Sequence, residues 1–124
     1  MRISLVVPLF NEEQTVGAFY QAIRQEALLS TCTVEIVFIN DGSSDRTAEI
    51  AQALAKADSE VTLVNFSRNF GKEAALFAGL EYATGEAVIP MDVDLQDPVM
   101  HPLVLVPQNY PPAPSATSAS KTRH

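Results

Sequence analysis

The sequence is poor in cysteine, in long apolar runs and in clustered basic residues, and each shortage removes a class of protein. Cys32 is the single cysteine, so an intrachain disulfide and a C-x-x-C metal or redox centre are excluded, and a reducing compartment fits. No apolar stretch approaches the ~20 residues a membrane-spanning helix requires. The early run from Ile3 to Phe10 has no basic leader and no small-residue cleavage site, and Asn11-Glu12-Glu13 follows at once, so it does not read as a secretion signal. Eight Lys and Arg stand against 15 Asp and Glu, a formal net charge of -7, which argues against phosphate-backbone binding and makes no nucleic acid an expected partner.

What is present fits one modest domain of 124 residues, with 47% hydrophobic and 19% charged residues in ordinary globular proportion. The acidity is local. Residues 1–98 hold all 15 acids and six of the eight bases, a balance of -9, while residues 99–124 carry only Lys121 and Arg123. Six of the eight prolines also fall in residues 98–124, and Ser115 to Ser120 are Ser, Ala and Thr alone. Residues 1–98 are therefore expected to fold, and residues 99–124 to form an irregular, largely disordered tail.

Within the first part, strand and helix periods alternate. Ile3 to Val7 is β-branched-rich and ends at Pro8, the pattern of a buried strand. Val16, Phe19, Tyr20, Ile23 and Ala27 then recur at helical spacing, with Glu12 and Glu13 placed where carboxylates favour the positive end of a helix dipole. The cycle repeats with a strand over 34–39 and a helix over 46–56, then a strand over 61–66 and a helix over 72–83. Thr84-Gly85 is expected to close that last helix with glycine in a left-handed cap, and residues 87–91 supply a fourth strand. Such alternation predicts an α/β fold with a parallel sheet and right-handed crossovers. Phe19, Tyr20 and Phe77 are expected to face the core.

Ligands of open parallel sheets sit beyond the carboxyl ends of the strands. Here those ends are Pro8 to Glu12, Asn40 to Ser43, Ser67 to Lys72 and Asp92 to Asp97. If extended geometry persists past the fourth strand, Asp92, Asp94 and Gln96 point the same way, an oxygen donor row suited to Mg2+ or Mn2+ with a diphosphate completing the shell. A solvated acidic turn is the competing reading of so short a pattern. Asp41 beside Gly42 accepts a hydrogen bond from a base or ribose, or else caps the following helix with Ser43, Ser44 and Asp45. Arg68 and Lys72 neutralise phosphate, or pair with Glu73 or a neighbouring acid. Asn11 and Glu12 hold the nucleoside, or merely begin a helix. His101 and His124 receive no role, and the first strand lacks the G-x-G-x-x-G of a generic dinucleotide fold.

Taken together, VVPLFNEE, VFINDGSSDRT, FSRNFGKEAALFAGLEYATGE and MDVDLQDP resemble the family 2 glycosyltransferases of the GT-A fold over about residues 1–98. The nearest likeness is to polyprenyl-phosphate sugar transferases, especially bactoprenol glucosyltransferases, with dolichol-phosphate mannose synthases more distant. The resemblance implies a partial GT-A, Rossmann-like fold in which Pro8, Phe10, Glu12, Ile39 and Asp41 line the nucleoside pocket. Asp92, Val93 and Asp94 would meet ribose, diphosphate and metal, with Asp94 as the catalytic residue and Gln96 as a further metal ligand. The implied reaction moves glucose from UDP-glucose to undecaprenyl phosphate with inversion, at the cytoplasmic face of the membrane.

The family pattern continues past DVDLQDP with acceptor-binding segments and usually two membrane helices, whereas this sequence changes abruptly after Pro98. The expectation is a truncated or frameshifted product, weak or inactive alone, whose downstream genomic DNA encodes the missing portion in another frame. Self-association through an open sheet edge is a further expectation. The alternative is a non-catalytic module that binds a nucleotide, a metal or a partner chain.

Overall fold

The computed structural model describes residues 1–26 and 31–94, and the backbone of residues 119–122. Four β-strands and three α-helices alternate: β1 (Arg2–Leu9), α1 (Val16–Gln25), β2 (Thr33–Asn40), α2 (Thr47–Ala57), β3 (Val61–Phe66), α3 (Lys72–Tyr82) and β4 (Ala87–Pro90). The α/β class and the parallel sheet follow the sequence periods closely. A last strand, β5 (Ala119–Thr122), pairs antiparallel with β3, in a stretch where the sequence offers no strand signal. The expectations for Ala27, Gln96, His101, His124 and the rest of the tail lie outside the described residues.

The sheet order is β4-β1-β2-β3-β5. From β1 the chain moves through α1 to β2 and through α2 to β3, then α3 carries it back to the far side of β1. This reversal makes β1 and β4 the point where the winding changes direction, and a crevice opens there at the carboxyl ends. In-register pairing of Leu9 with Asn40, Asn40 with Asn65, and Val6 with Pro90 brings the four following loops to one edge.

Alternation along the strands sorts the core into two layers. Leu5, Val7, Leu9, Ile36, Phe38, Leu63 and Ile89 meet Val16, Phe19 and Ile23 of α1 and Ala51 and Ala55 of α2. On the opposite face Val37, Ile39, Val64 and Phe66 meet Ala75 and Ala78 of α3. Helix α3 lies close because Gly79 leaves room for Val6, whose Cγ1 a side chain there would overlap.

Three local expectations are corrected. Helix α1 begins only at Val16 and has no acid in its first turn; Glu12 and Glu13 lie in the preceding loop, where Glu12 binds the Thr15 hydroxyl and Glu13 the Arg46 amide. Gly85 is not a left-handed cap, since α3 ends through extended Ala83. Its missing side chain instead admits Ser4, whose N and Oγ would lie within 2.8 Å of a Cβ there. Phe77 is 39% exposed, because Ala75, Ala78 and Gly79 occupy the side of α3 that meets the sheet. It lines an open apolar groove of about 300 Å³ with Val6, Leu76, Leu80 and Pro90.

The amino-terminal edge is closed by a buried polar knot. Glu35, 1% exposed, accepts hydrogen bonds from Ser4 Oγ at 2.7 Å and from the Thr84 amide at 2.9 Å, and pairs with Arg2 at 3.4 Å. The Gly85 amide donates to Ser4 Oγ at 2.8 Å, so the turn before β4 is tied to β1 and β2 together. Every polar group in this chain of contacts gains a partner, which burial of a carboxylate demands.

Candidate functional site

At the carboxyl edge each loop is held by the next. Asn11, the one non-glycine residue with positive φ (53°) among those described, donates its amide to Ser43 Oγ at 2.9 Å and accepts the Ser44 amide at 2.8 Å. Asparagine tolerates this left-handed geometry better than most residues. The Glu12 amide donates to Thr47 Oγ1 at 2.7 Å, so the loop after β1 is stitched to the loop after β2. Asp45 caps the start of α2 by accepting the Thr47 amide and hydroxyl. Partial desolvation works against its charged form, but these donations outweigh it and hold its carboxyl below the usual range.

Asp41 joins the second loop to the third. Its buried carboxylate accepts the Phe70 amide at 2.7 Å, the Gly71 amide at 3.1 Å and Asn69 Nδ2 at 3.3 Å. Gly71 turns at φ 100°, which favours glycine, and presents its N–H to this carboxylate. Gly42, at φ 74°, abuts the backbone of Arg68 and Asn69, where any side chain would collide. Arg68 stacks on the Phe70 ring with 4.6 Å to the centroid. Lys72 then reaches from the start of α3 to the fourth loop, its Nζ 2.6 Å from Asp92 Oδ1.

A cleft of about 250 Å³ lies over the β1–β4 crevice, lined by Pro8, Leu9, Phe10, Glu12, Asp41, Lys72, Asp92, Val93 and Asp94. Val93 is buried in the larger core layer while Asp92 and Asp94 stay exposed, so the two acids border the cleft although a turn begins at Val93. Four carboxylates and one ammonium line it, a strongly acidic surround. Asp92 and Asp94 supply hard oxygen donors, and among the described residues no cluster of three metal-ligating side chains forms, so the protein offers only part of a coordination shell. That donor set fits Mg2+ or Mn2+ when a ligand and water complete the shell.

Eight of the sequence-derived candidates thus meet in one cleft: Pro8, Phe10, Glu12, Asp41, Lys72, Asp92, Val93 and Asp94. Four do not line it. Ile39 is fully buried in the layer beneath α3, Asn11 and Gly42 hold loops together, and Arg68 covers Phe70. Lys72 pairs with Asp92 rather than Glu73. Gln96 lies outside the described residues. Leu9 lines the cleft too; it falls within the strand end from Pro8 to Glu12, but its apolar side chain reads as core, so no motif singles it out.

Comparison with known proteins supplies the family and the fold. The profile of "Glycosyl transferase family 2" matches residues 4–107. The chain is 60% identical over 99 residues to a prophage bactoprenol glucosyl transferase homolog of Escherichia coli K12, covering 80% of this chain and 32% of that relative. It therefore spans about a third of that relative's length. Among solved structures, the mannosyltransferase PcManGT of Pyrobaculum calidifontis, in complex with GDP-Man and Mn2+, superimposes with a TM-score of 0.67 at 28% identity, over 75% of this chain and 27% of its own. Glucosyl-3-phosphoglycerate synthase of Mycobacterium tuberculosis, bound to Mn2+, UDP and phosphoglyceric acid, does so with a TM-score of 0.59 at 28% identity, over 78% and 34%. The parallel sheet, in which β4 returns to the far side of β1, has the GT-A fold, and the chain belongs to glycosyl transferase family 2.

Proposed function

We propose that the cleft binds a nucleotide sugar together with Mg2+ or Mn2+, as the donor-binding portion of an enzyme that moves glucose from UDP-glucose to undecaprenyl phosphate with inversion. One observation carries this: four carboxylates crowd a cleft at the winding reversal, in the position where sheets of this kind take nucleotides. An anionic diphosphate enters such a surround only with a cation. The relative named for bactoprenol glucosyl transfer and the neighbours that bind GDP-Man or UDP with Mn2+ support the same substrate class.

In this reading Pro8, Phe10 and Glu12 border the nucleoside, while Asp92 and Asp94 hold the cation against the diphosphate. The bond from the anomeric carbon to the UDP oxygen breaks as one forms to the acceptor phosphate, and UDP leaves with the electron pair. A divalent cation offsets the negative charge that develops on UDP. Because a phosphate acceptor is already anionic, no strong general base is needed. Among the described residues no helix is long and apolar enough to cross a membrane, and this reading sets the site at the cytoplasmic face, with the acceptor approaching from the bilayer. Self-association through an open sheet edge belongs to the same reading.

Calorimetric titration with UDP-glucose, with and without Mn2+, tests the site. Wild type should bind more tightly with Mn2+, and Asp94→Ala should lose about tenfold or more of that gain. Equal, metal-dependent binding by both proteins would remove Asp94 from the site.

A further inference from the structure

The Lys72–Asp92 pair offers more than charge balance. Nζ lies 2.6 Å from Oδ1, yet the side chains are 62% and 51% exposed, so the contact is close but set in water. Exposed pairs of this kind contribute about 1 kcal/mol or less, a strength that a competing cation overcomes. Lys72 is also the only cation among the residues lining a cleft that carries Glu12, Asp41, Asp92 and Asp94. Its base is well anchored: Gly71, immediately before it, is bound by the buried Asp41 carboxylate, while the four-carbon stem beyond remains free to turn.

We infer that Lys72 is a counterion that changes partner, neutralising Asp92 while the cleft is empty and turning to a diphosphate oxygen when nucleotide and cation enter together. The inference rests on the nucleotide-sugar reading above. It assigns Lys72 a selective role. In the empty cleft its ammonium competes with a bare divalent cation for Asp92; once a diphosphate is present, the same ammonium adds an attraction instead of a competition. The cleft therefore disfavours a cation alone and favours the cation with its nucleotide.

The experiment measures two affinities on the full chain. Free Mn2+ is counted by electron paramagnetic resonance with no nucleotide present, and UDP binding is titrated in saturating Mn2+. For Lys72→Met, Mn2+ alone should bind up to about fivefold more tightly, and UDP with Mn2+ up to about fivefold more weakly. Lys72→Arg, which keeps the charge, should hold both within about twofold of wild type. Opposite signs in the Met variant are the signature, because loss of a merely structural contact would weaken both. Affinities that are unchanged, or that move in the same direction, would overturn the partner exchange while leaving nucleotide binding intact. A wild-type chain that binds UDP no better with Mn2+ than without it would remove the nucleotide-sugar reading, and this inference with it.

Discussion

The two edges of the sheet treat their carboxylates in opposite ways. At the amino-terminal edge Glu35 is sealed, with donors from Ser4 and Thr84 and a partner in Arg2. Asp58, in the turn between α2 and β3, accepts the Tyr20 hydroxyl at 2.7 Å and pairs with Arg24 at 2.8 Å. At the carboxyl-terminal edge Asp92 and Asp94 face water, and the one ion pair among the residues lining the cleft is exposed. A carboxylate whose hydrogen-bonding capacity is used inside the protein stabilises the fold; one left in water is available to a ligand. Asp41 stands between these cases, since it lines the cleft but already accepts two backbone amides.

The contrast is broken most severely at Glu35. Glu35→Ala leaves the Thr84 amide and Ser4 hydroxyl without their acceptor and Arg2 with one partner fewer, and should cost about 3 kcal/mol in urea unfolding. UDP affinity of the folded fraction should change little, because the cleft lies at the other edge. Asp41→Ala comes next: it strands the Phe70 and Gly71 amides and should cost about 2 kcal/mol, and unlike Glu35→Ala it should also weaken UDP binding by loosening the loop that carries Lys72. If the two variants affect stability and binding in the same proportion, the division between edges fails.

Acid tests the closed edge more gently. Burial pushes the Asp58 carboxyl up, but donation from Tyr20 and the Glu60 amide and the charge of Arg24 outweigh it and hold it below the ordinary range. A carboxyl lowered in the folded state stabilises above its unfolded pKa of about 3.9 and loses that contribution as pH falls through the folded value. Thermal unfolding should therefore show stability falling below about pH 4, and Asp58→Asn should flatten that slope while costing about 1 kcal/mol or less at pH 7. A slope unchanged by the substitution would assign the acid sensitivity elsewhere.

Much of the fold was legible. The helical recurrence of Val16, Phe19, Tyr20 and Ile23, and the β-branched runs around Leu5, Ile36 and Leu63, are local patterns, and the structure follows them to within a few residues. The lining of the cleft was legible wherever a polar residue stands just after a strand, as at Glu12, Asp41, Asp92 and Asp94. It was illegible where a residue's role depends on a distant neighbour. Ile39 sits on the strand that ends at Asn40, yet the alternation of side chains turns it under α3, while Leu9, at the end of the neighbouring strand, reaches the cleft. Gly85 looked like a cap because glycine often ends helices, but the crowding that requires it comes from Ser4, 81 positions away.

The sequence by itself determined the order of strands and helices and the family, since periodicity and short motifs are carried by neighbouring residues. It also placed the acids Asp92 and Asp94 after the last strand of the repeat. Only the tertiary structure decided what those acids meet. The return of β4 to the far side of β1 sets Asp92 beside Lys72 and opens the crevice, and the register of β2 with β3 sets Asp41 beneath the amides of Phe70 and Gly71. These pairings span 20 to 30 residues, and their formation depends on strand order and close packing, which no local pattern encodes.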